Sequence, residues 1–261
     1  MPLEAPPAPV ADRARALNHR HRNHAATTVL EHALNDPEMG RVALVSSFGA
    51  ESVVLLHMVA CIDRTTPVLF LETGMLFAET LEYQRDLVAR LGLTGLRHLA
   101  PDRTELFTED HDGLLHLAEP DACCALRKTR PLERALGSFD AWITGRKRFQ
   151  GGQRQALEFF EPDGDTRLKI NPLAHWSARD LSDYIDNNRL PRHPMVARGY
   201  PSIGCAPCTG PVEPGRDPRA GRWPGMAKTE CGIHFTAGGV RRDGGATPAK
   251  AATEQDAKGT Q

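Results

Sequence analysis

Nowhere does the chain string together the roughly 18 apolar residues that a membrane-crossing helix needs. Its start, Met1-Pro2-Leu3-Glu4-Ala5-Pro6-Pro7, lacks the positive stretch and apolar core of an export signal. A cytoplasmic protein with no membrane partner is therefore expected. An excess of charge is also missing: 32 Lys and Arg stand against 33 Asp and Glu, for a formal net charge of -1. No global field draws such a chain to nucleic acid, and aromatics make up only 6% of it, so a basic aromatic stripe is absent. Any anion site must be local. Six cysteines in 261 residues are too few for a bridged scaffold and suit a reducing compartment, where thiols serve as ligands or nucleophiles. The Gly-Lys-Ser/Thr ending of a Walker loop is not found after any predicted strand, which excludes an ordinary kinase or GTPase.

What is present is 40% hydrophobic residues, enough for one sizeable core. The expected organisation is a disordered stretch 1–10, a single α/β domain over 11–235 with a mobile arm from about residue 209, and a disordered tail 236–261. A helix is predicted from Ala11 to about Asn35, with His19, His21 and His24 on a solvated basic face. Arg41 to Val45 and Pro67 to Leu71 read as buried strands, Leu96 to Leu99 and Ala141 to Gly145 as further ones, and Arg167 to Ile170 as an added one. Helices are expected between them, one carrying Cys61 as a small core residue, and another opening on the capping pair Ser177 and Asp180. Strands alternating with helices argue an α/β fold: a mostly parallel sheet with helices on both faces, whose ligands sit beyond the carboxyl ends of the strands.

Three loops fall at that edge. Ser46-Ser47-Phe48-Gly49-Ala50-Glu51-Ser52 joins a strand to a helix through small residues, an arrangement that presents N–H groups to a phosphate, although a plain turn explains it equally well. Glu72-Thr73-Gly74 ends the second strand. Arg146-Lys147-Arg148 follows the strand at 141–145 and is either an anion clamp or a solvated loop.

The cysteines fall into a pattern. Cys123 and Cys124 are adjacent and cannot easily bridge each other. With Asp121 as cap of a helix to about Gly137, both thiols fall in its first turn, where thiolate is favoured, with Arg127 and Lys128 one turn further on. Cys205 and Cys208 have Cys-x-x-Cys spacing around Pro207. Four thiolates meeting at one centre suit structural zinc or an iron–sulfur cluster, and ligand count does not separate the two. Cys231 stands alone in an irregular, Gly- and Pro-rich stretch, between Lys228 and His234.

Taken in order, Cys-Cys-Ala-Leu-Arg-Lys, Gly-Cys-Ala-Pro-Cys and Glu-Cys-Gly-Ile-His resemble the assimilatory adenylyl-sulfate reductases, within the phosphoadenylyl-sulfate reductase family. The likeness runs from about residue 41 to 235. Ser-Phe-Gly-Ala-Glu-Ser resembles the family's modified phosphate loop, and Leu71-Glu72-Thr73-Gly74 its Leu-Asp-Thr-Gly, with Glu72 in the aspartate's place. Trp142 to Gln150 resembles the Thr-Gly-x-Arg-Arg-Asp-Gln run, with Phe149 replacing its acid, and Pro224 departs from the aromatic residues usual after the arginine. The resemblance implies an adenine nucleotide alpha hydrolase-like fold. It implies a 4Fe-4S cluster on Cys123, Cys124, Cys205 and Cys208, with Cys231 as nucleophile and His234 and Lys128 assisting. It further implies substrate contacts at Ser46, Ser47, Gly49, Thr73, Gly74, Arg146, Arg219 and Arg222. The expected activity is reduction of adenylyl sulfate to sulfite through an S-sulfocysteine, with thioredoxin or a glutaredoxin-like thiol donor as partner. A phosphoadenylyl-sulfate reductase, an ATP pyrophosphatase on the same loop and a nucleic-acid-binding metal module are the alternatives. The sequence leaves a homo-oligomer open.

Overall fold

A computed structural model describes residues 8–151, 154–226, 228, 230 and 232–233. Its sheet is formed by β1 (Val42–Ser46), β2 (Val68–Leu71), β3 (Leu96–Leu99), β4 (Ala141–Ile143), β5 (Phe160–Asp163) and β6 (Arg167–Ile170). They lie in the order β3-β2-β1-β4-β6-β5. All pair in parallel except β5, which returns antiparallel to β6. The chain steps outward from β1 to β3 and then resumes on the other side of β1 with β4. That reversal opens a crevice at the carboxyl ends of β1 and β4, where an α/β sheet takes its ligands.

The strands alternate sides with period two. Leu44, Val68, Phe70, Ile143, Leu168 and Ile170 face a large apolar layer. That layer is built from α1 (Val10–His21), α2 (Ala26–Asn35), α3 (Ser52–Ile62), α4 (Ala78–Leu91) and α9 (Ala178–Asn187). Ala43, Val45, Leu69, Leu71 and Trp142 face a smaller layer against α8 (Arg130–Leu136). Between β3 and α8 the chain forms three short helices, α5 (Arg103–Glu109), α6 (Leu115–Ala118) and α7 (Pro120–Cys124). The expected capping box is present: Ser177 Oγ accepts the Asp180 N–H at 3.2 Å, and Asp180 Oδ2 accepts the Ser177 N–H at 2.7 Å.

Several expectations are corrected. The helix predicted over Ala11 to Asn35 is two, broken at residues 22–25, so that α1 lies along β5 while α2 packs on α3. The break buries His21, which is 4% exposed and stacks 4.7 Å from His32 and 5.5 Å from Phe160. His21 is thus no part of a solvated face. Cys61 is exposed rather than core, because it lies on the outer side of the last turn of α3, with Sγ 3.7 Å from His57 Nε2. Strand β5 has no apolar run in its sequence and was not expected. At the start, Val10 is 7% exposed and already helical, so order begins inside the stretch 1–10. Residues 1–7 and the tail from 236 lie outside the described residues. No helix among the described residues is long and apolar enough to cross a membrane.

Candidate active site

The loop after β1 is tightly specified. Phe48 takes a left-handed backbone (φ 49°) and is fully buried edge-on to Phe70 at 5.1 Å. A left-handed non-glycine residue is costly and persists where the surroundings hold it. Burying Phe48 turns Ser47 outward and brings Gly49 so near the Ile203 carbonyl that a β-carbon would sit 3.2 Å from it. Ser46 Oγ accepts the Phe48 N–H at 3.1 Å, and Ser52 Oγ donates to the Gly49 carbonyl. In the loop after β2, Glu72 Oε1 accepts the N–H of Gly74 (φ 73°) at 2.9 Å, so the longer acid still closes the turn. A cleft of about 240 Å³ opens between these loops. Ser46, Ser47, Gly49, Thr73, Lys128, Arg146, Arg219 and Arg222 line it, whereas Gly74 does not.

The cysteine helix differs from expectation. Pro120 holds its first position with Glu119 before it, so Asp121 is no cap; its exposed carboxylate pairs with Lys228 instead. After one turn the coil widens into a π-turn over Ala125–Thr129, and Arg127 still acts on the Cys123 thiol. Arg127 swings to Asp110, with Nη2 2.5 Å and Nε 3.1 Å from Oδ2, and donates to the Thr73 carbonyl at 2.9 Å. Burial works to raise the Asp110 carboxyl, yet these bonds hold it below its usual range.

Cys123, Cys124, Cys205 and Cys208 are unbridged and 5–7% exposed. Thr73 Oγ1 lies 3.3 Å from Cys205 Sγ, the Ala206 N–H donates to the Met75 carbonyl, and the Trp223 N–H donates to the Cys208 carbonyl. The Cys-x-x-Cys turn is thus stitched between the β2 loop and the segment at 221–223. At Cys123 and Cys208 burial disfavours the thiolate. Burial first, and neighbouring Cys124 next, push the Cys123 thiol up to about 11 against the pull of Arg127. Burial and Cys205 raise Cys208 against Lys128, Arg222 and Lys228. The Cys123 thiol feels Cys205 as well, so the two pairs share one electrostatic neighbourhood. Among the described residues, no three His, Cys, Asp or Glu side chains are grouped to hold a single metal ion.

Each cation of the run at 146–148 has a counterpart. Arg146 pairs with Glu161 and reaches Asn171 Oδ1 at 3.1 Å, while its buried Nε has no partner. Lys147 meets Glu51 at 2.5 Å, and Arg148 meets Glu158 at 3.0 Å. Burial lowers both Arg146 and Lys147. The run is therefore folded into the cleft wall rather than solvated. Arg222 lies over the Trp223 ring, 4.6 Å from its centroid, and both its Nε and Trp223 Nε1 are buried without a partner.

Cys231 and His234 lie outside the described residues. Glu230 and Ile233 are described and line the cleft. Arg154, which sequence reasoning missed, binds Glu230 with both prongs, Nε–Oε1 2.6 Å and Nη2–Oε2 2.7 Å. Residues 76 apart carry no local signal of such a pair.

Comparison with known proteins places this arrangement. Residues 41–211 match the phosphoadenosine phosphosulfate reductase domain. The chain is 50% identical to an adenosine 5'-phosphosulfate reductase of Mesorhizobium japonicum over 87% of its length and 89% of the relative's. It is 41% identical to adenosine 5'-phosphosulfate reductase 1 of Bacillus subtilis over 72% of this chain and 82% of that one. A crystal structure of phosphoadenylyl-sulfate reductase from Candida auris, in a phosphate complex, superposes with a TM-score of 0.65 at 25% identity, covering 77% of this chain and 97% of that one.

Proposed function

The chain belongs to the phosphoadenosine phosphosulfate reductase family, and from that premise we propose that it reduces adenylyl sulfate to sulfite and AMP with a thioredoxin or glutaredoxin-like dithiol. The observation that carries this reading is one juxtaposition. Cys205 lines the cleft together with Thr73, Lys128, Arg219, Arg222 and Glu230, and buried Cys123 lies within electrostatic reach of it.

The donor set fits a four-iron, four-sulfur cluster on Cys123, Cys124, Cys205 and Cys208. None of the four is in a disulfide; Cys205 and Cys208 pack with Trp223, Met75, Leu76 and Met226, and two unpartnered N–H donors, Arg222 Nε and Trp223 Nε1, lie in that neighbourhood. Those four cysteines, as thiolates, would hold the cluster. When bound, the cluster supplies fixed charge that tunes the field beside Lys128.

The chain's own residues do the rest. The Ser46–Gly49 loop receives the nucleotide phosphate at the start of α3. Lys128, Arg219 and Arg222 offset the repulsion between an incoming thiolate and the anionic oxygens around the sulfonate sulfur, and stabilise charge building on the leaving phosphate. The Cys231 thiolate attacks that sulfur, the S–O bond to phosphate breaks, and AMP leaves with the bonding pair. His234 orients the nucleophile or supplies positive charge. A thiolate of the dithiol then attacks the Cys231 sulfur of the S-sulfocysteine and expels sulfite; its second thiol resolves the mixed disulfide, supplying two electrons in all.

An anaerobic assay of purified protein for sulfite release, with adenylyl sulfate against its 3'-phosphorylated relative and with iron and sulfide counted on the same sample, tests the proposal. Preference for adenylyl sulfate and about four irons per chain are expected. A preference for the 3'-phosphorylated compound, or iron-free protein at full activity, would overturn it. Cys231→Ser is expected to abolish the labelled covalent intermediate and retain nucleotide binding.

A further inference from the structure

The segment around residue 231 is tied to the body at every described position. Lys228 pairs with Asp121 and lies 5.7 Å from the Trp223 ring centroid. Gly232 abuts the α7–α8 turn, where a β-carbon would lie 3.4 Å from Thr129 Oγ1, and Ile233 packs against the apolar layer around Trp142. The tie of most defined geometry is the forked contact between Arg154 and Glu230. The Arg154 side chain is 9% exposed and that of Glu230 22%, and Arg219 Nη2 lies 3.4 Å from the same carboxylate. A planar guanidinium meeting a carboxylate through two bonds fixes direction as well as distance, which a single contact does not.

The pair also continues a chain of side chains. The remaining prong of Arg154 donates to Gln150 Oε1, and Gln150 Nε2 donates to Glu51 Oε2 at 3.3 Å. The same oxygen of Glu51, at the mouth of the Ser46–Ala50 loop, accepts from Lys147 Nζ at 2.5 Å. One run of polar contacts thus links the start of α3 to the residue next to 231.

We propose that Arg154 is a positioning residue. It docks Glu230, the residue before Cys231, against the cleft wall, and so acts on the reaction by holding the neighbour of the nucleophile. Arg154 touches no reacting atom in this scheme. The role assigned to the thiol rests on the function proposed above; the dock does not.

The test measures three things on wild type, Arg154→Met, Arg154→Lys, Glu230→Gln and the charge swap Arg154→Glu with Glu230→Arg. These are the iodoacetamide labelling rate of the peptide containing Cys231, the affinity for AMP, and the single-turnover rate of covalent-intermediate formation. Arg154→Met and Glu230→Gln are expected to speed labelling about tenfold and slow the covalent step about 10²-fold, as a small misplacement does, with AMP affinity held within about threefold. Arg154→Lys restores charge without the fork and falls between. The swap recovers part of both losses. Unchanged labelling and turnover in Glu230→Gln, a replacement on the arm that leaves the body intact, would overturn the proposal, as would equal losses in AMP affinity and turnover. A wild type that releases no sulfite defeats the functional reading while leaving the labelling comparison standing.

Discussion

The two faces of the sheet solve different problems with the same strands. On one face Leu44, Val68, Phe70, Ile143, Leu168 and Ile170 form an apolar layer broken only towards the strand ends by Ser46 and His98, and five helices cover it. On the other, the alternate positions of the same strands pack around Trp142 and the buried amine of Lys169, and beyond the end of β2 Thr73 meets the Arg127–Asp110 pair and Cys205. The apolar face tolerates no chemistry and needs none. The opposite face carries buried polar groups: the cost of the Arg127–Asp110 pair is offset while both members are present, whereas Lys169 Nζ has no hydrogen-bond partner. Stability is therefore expected to reside in the first face and function in the second.

The sharpest way to break this comparison is to set Phe70→Ala against Arg127→Met. Phe70 is fully buried between Phe48 and His98, and its loss is expected to cost about 3–5 kcal/mol. Removing Arg127 strands the fully buried Asp110 carboxylate and is expected to cost a similar 3–5 kcal/mol. Urea unfolding midpoints measure both. The two should part on iron retained per folded chain, kept by Phe70→Ala and lost by Arg127→Met. Adding Asp110→Asn to Arg127→Met should recover most of the stability, because no charge is then left unpaired.

A smaller expected effect on stability but a large one on rate belongs to Lys128→Met. Lys128 lines the cleft between the cysteines and the strand-end loops. Its replacement is expected to lower kcat about 10²–10³-fold, the usual consequence of removing one charge-stabilising donor. Because Lys128 is buried, the loss of unfolding free energy should fall in the ordinary range for a point change, about 0.5–3 kcal/mol, below that of Arg127→Met. A fall in stability with no change in rate would return Lys128 to the role of packing.

Lys169 sharpens the contrast from within the functional face. Its Nζ is buried without a hydrogen-bond partner, 4.6 Å from the Trp142 ring centroid, and burial, with Arg146 next, lowers it to about 7. Between pH 7 and its ordinary value the unfolded chain holds a proton that the folded chain does not, so stability rises with pH across that window. Below pH 7 both forms are protonated and the penalty is constant. Lys169→Met should raise neutral-pH stability by about 1–3 kcal/mol and flatten that rise. A steeper profile in the variant would show that the ammonium is satisfied rather than strained.

The same division explains what the chain revealed in advance. β1, β2 and β4 are covered on both faces and read as apolar runs, and the Ser177–Asp180 box is a local signal. The two cysteine pairs were visible because their spacing is short. Strand β5, Phe-Glu-Pro-Asp, was hidden because an edge strand admits Pro162 and charge and shows no run. The π-turn after Cys124 leaves no mark in composition, so the reach of Arg127 to Asp110 and the Thr73 carbonyl was not legible. Burial also overrode the thiolate expectation, a tertiary effect that spacing cannot carry. Arg154 with Glu230, and Glu51 with Lys147, join residues 76 and 96 apart. Such pairs exist only once the sheet has brought its carboxyl ends together.

The smallest expected effect lies on the apolar face, where two histidines share one shift for different reasons. Burial first, then His32, His24 and Arg20, lower His21 to about 4, and neither of its ring nitrogens has a partner. Burial also lowers His193 to about 4, against Glu79, but its Nδ1 accepts the Met195 N–H at 3.2 Å and its Nε2 lies 3.0 Å from Thr80 Oγ1. As pH falls below about 6.5 the unfolded chain takes up protons that both folded histidines refuse, so stability drains away down to about pH 4 and then levels. Replacing either by Phe removes one proton from that slope. The replacements should differ at neutral pH: His21→Phe extends the ring stack on Phe160 and holds or raises the midpoint. His193→Phe strands the Thr80 hydroxyl and the Met195 N–H and lowers stability by about 1–3 kcal/mol. Urea midpoints at pH 4.5 and 7.5 separate the two. A neutral-pH loss for His21→Phe as large as for His193→Phe would mean that even the apolar face depends on a polar contact at His21.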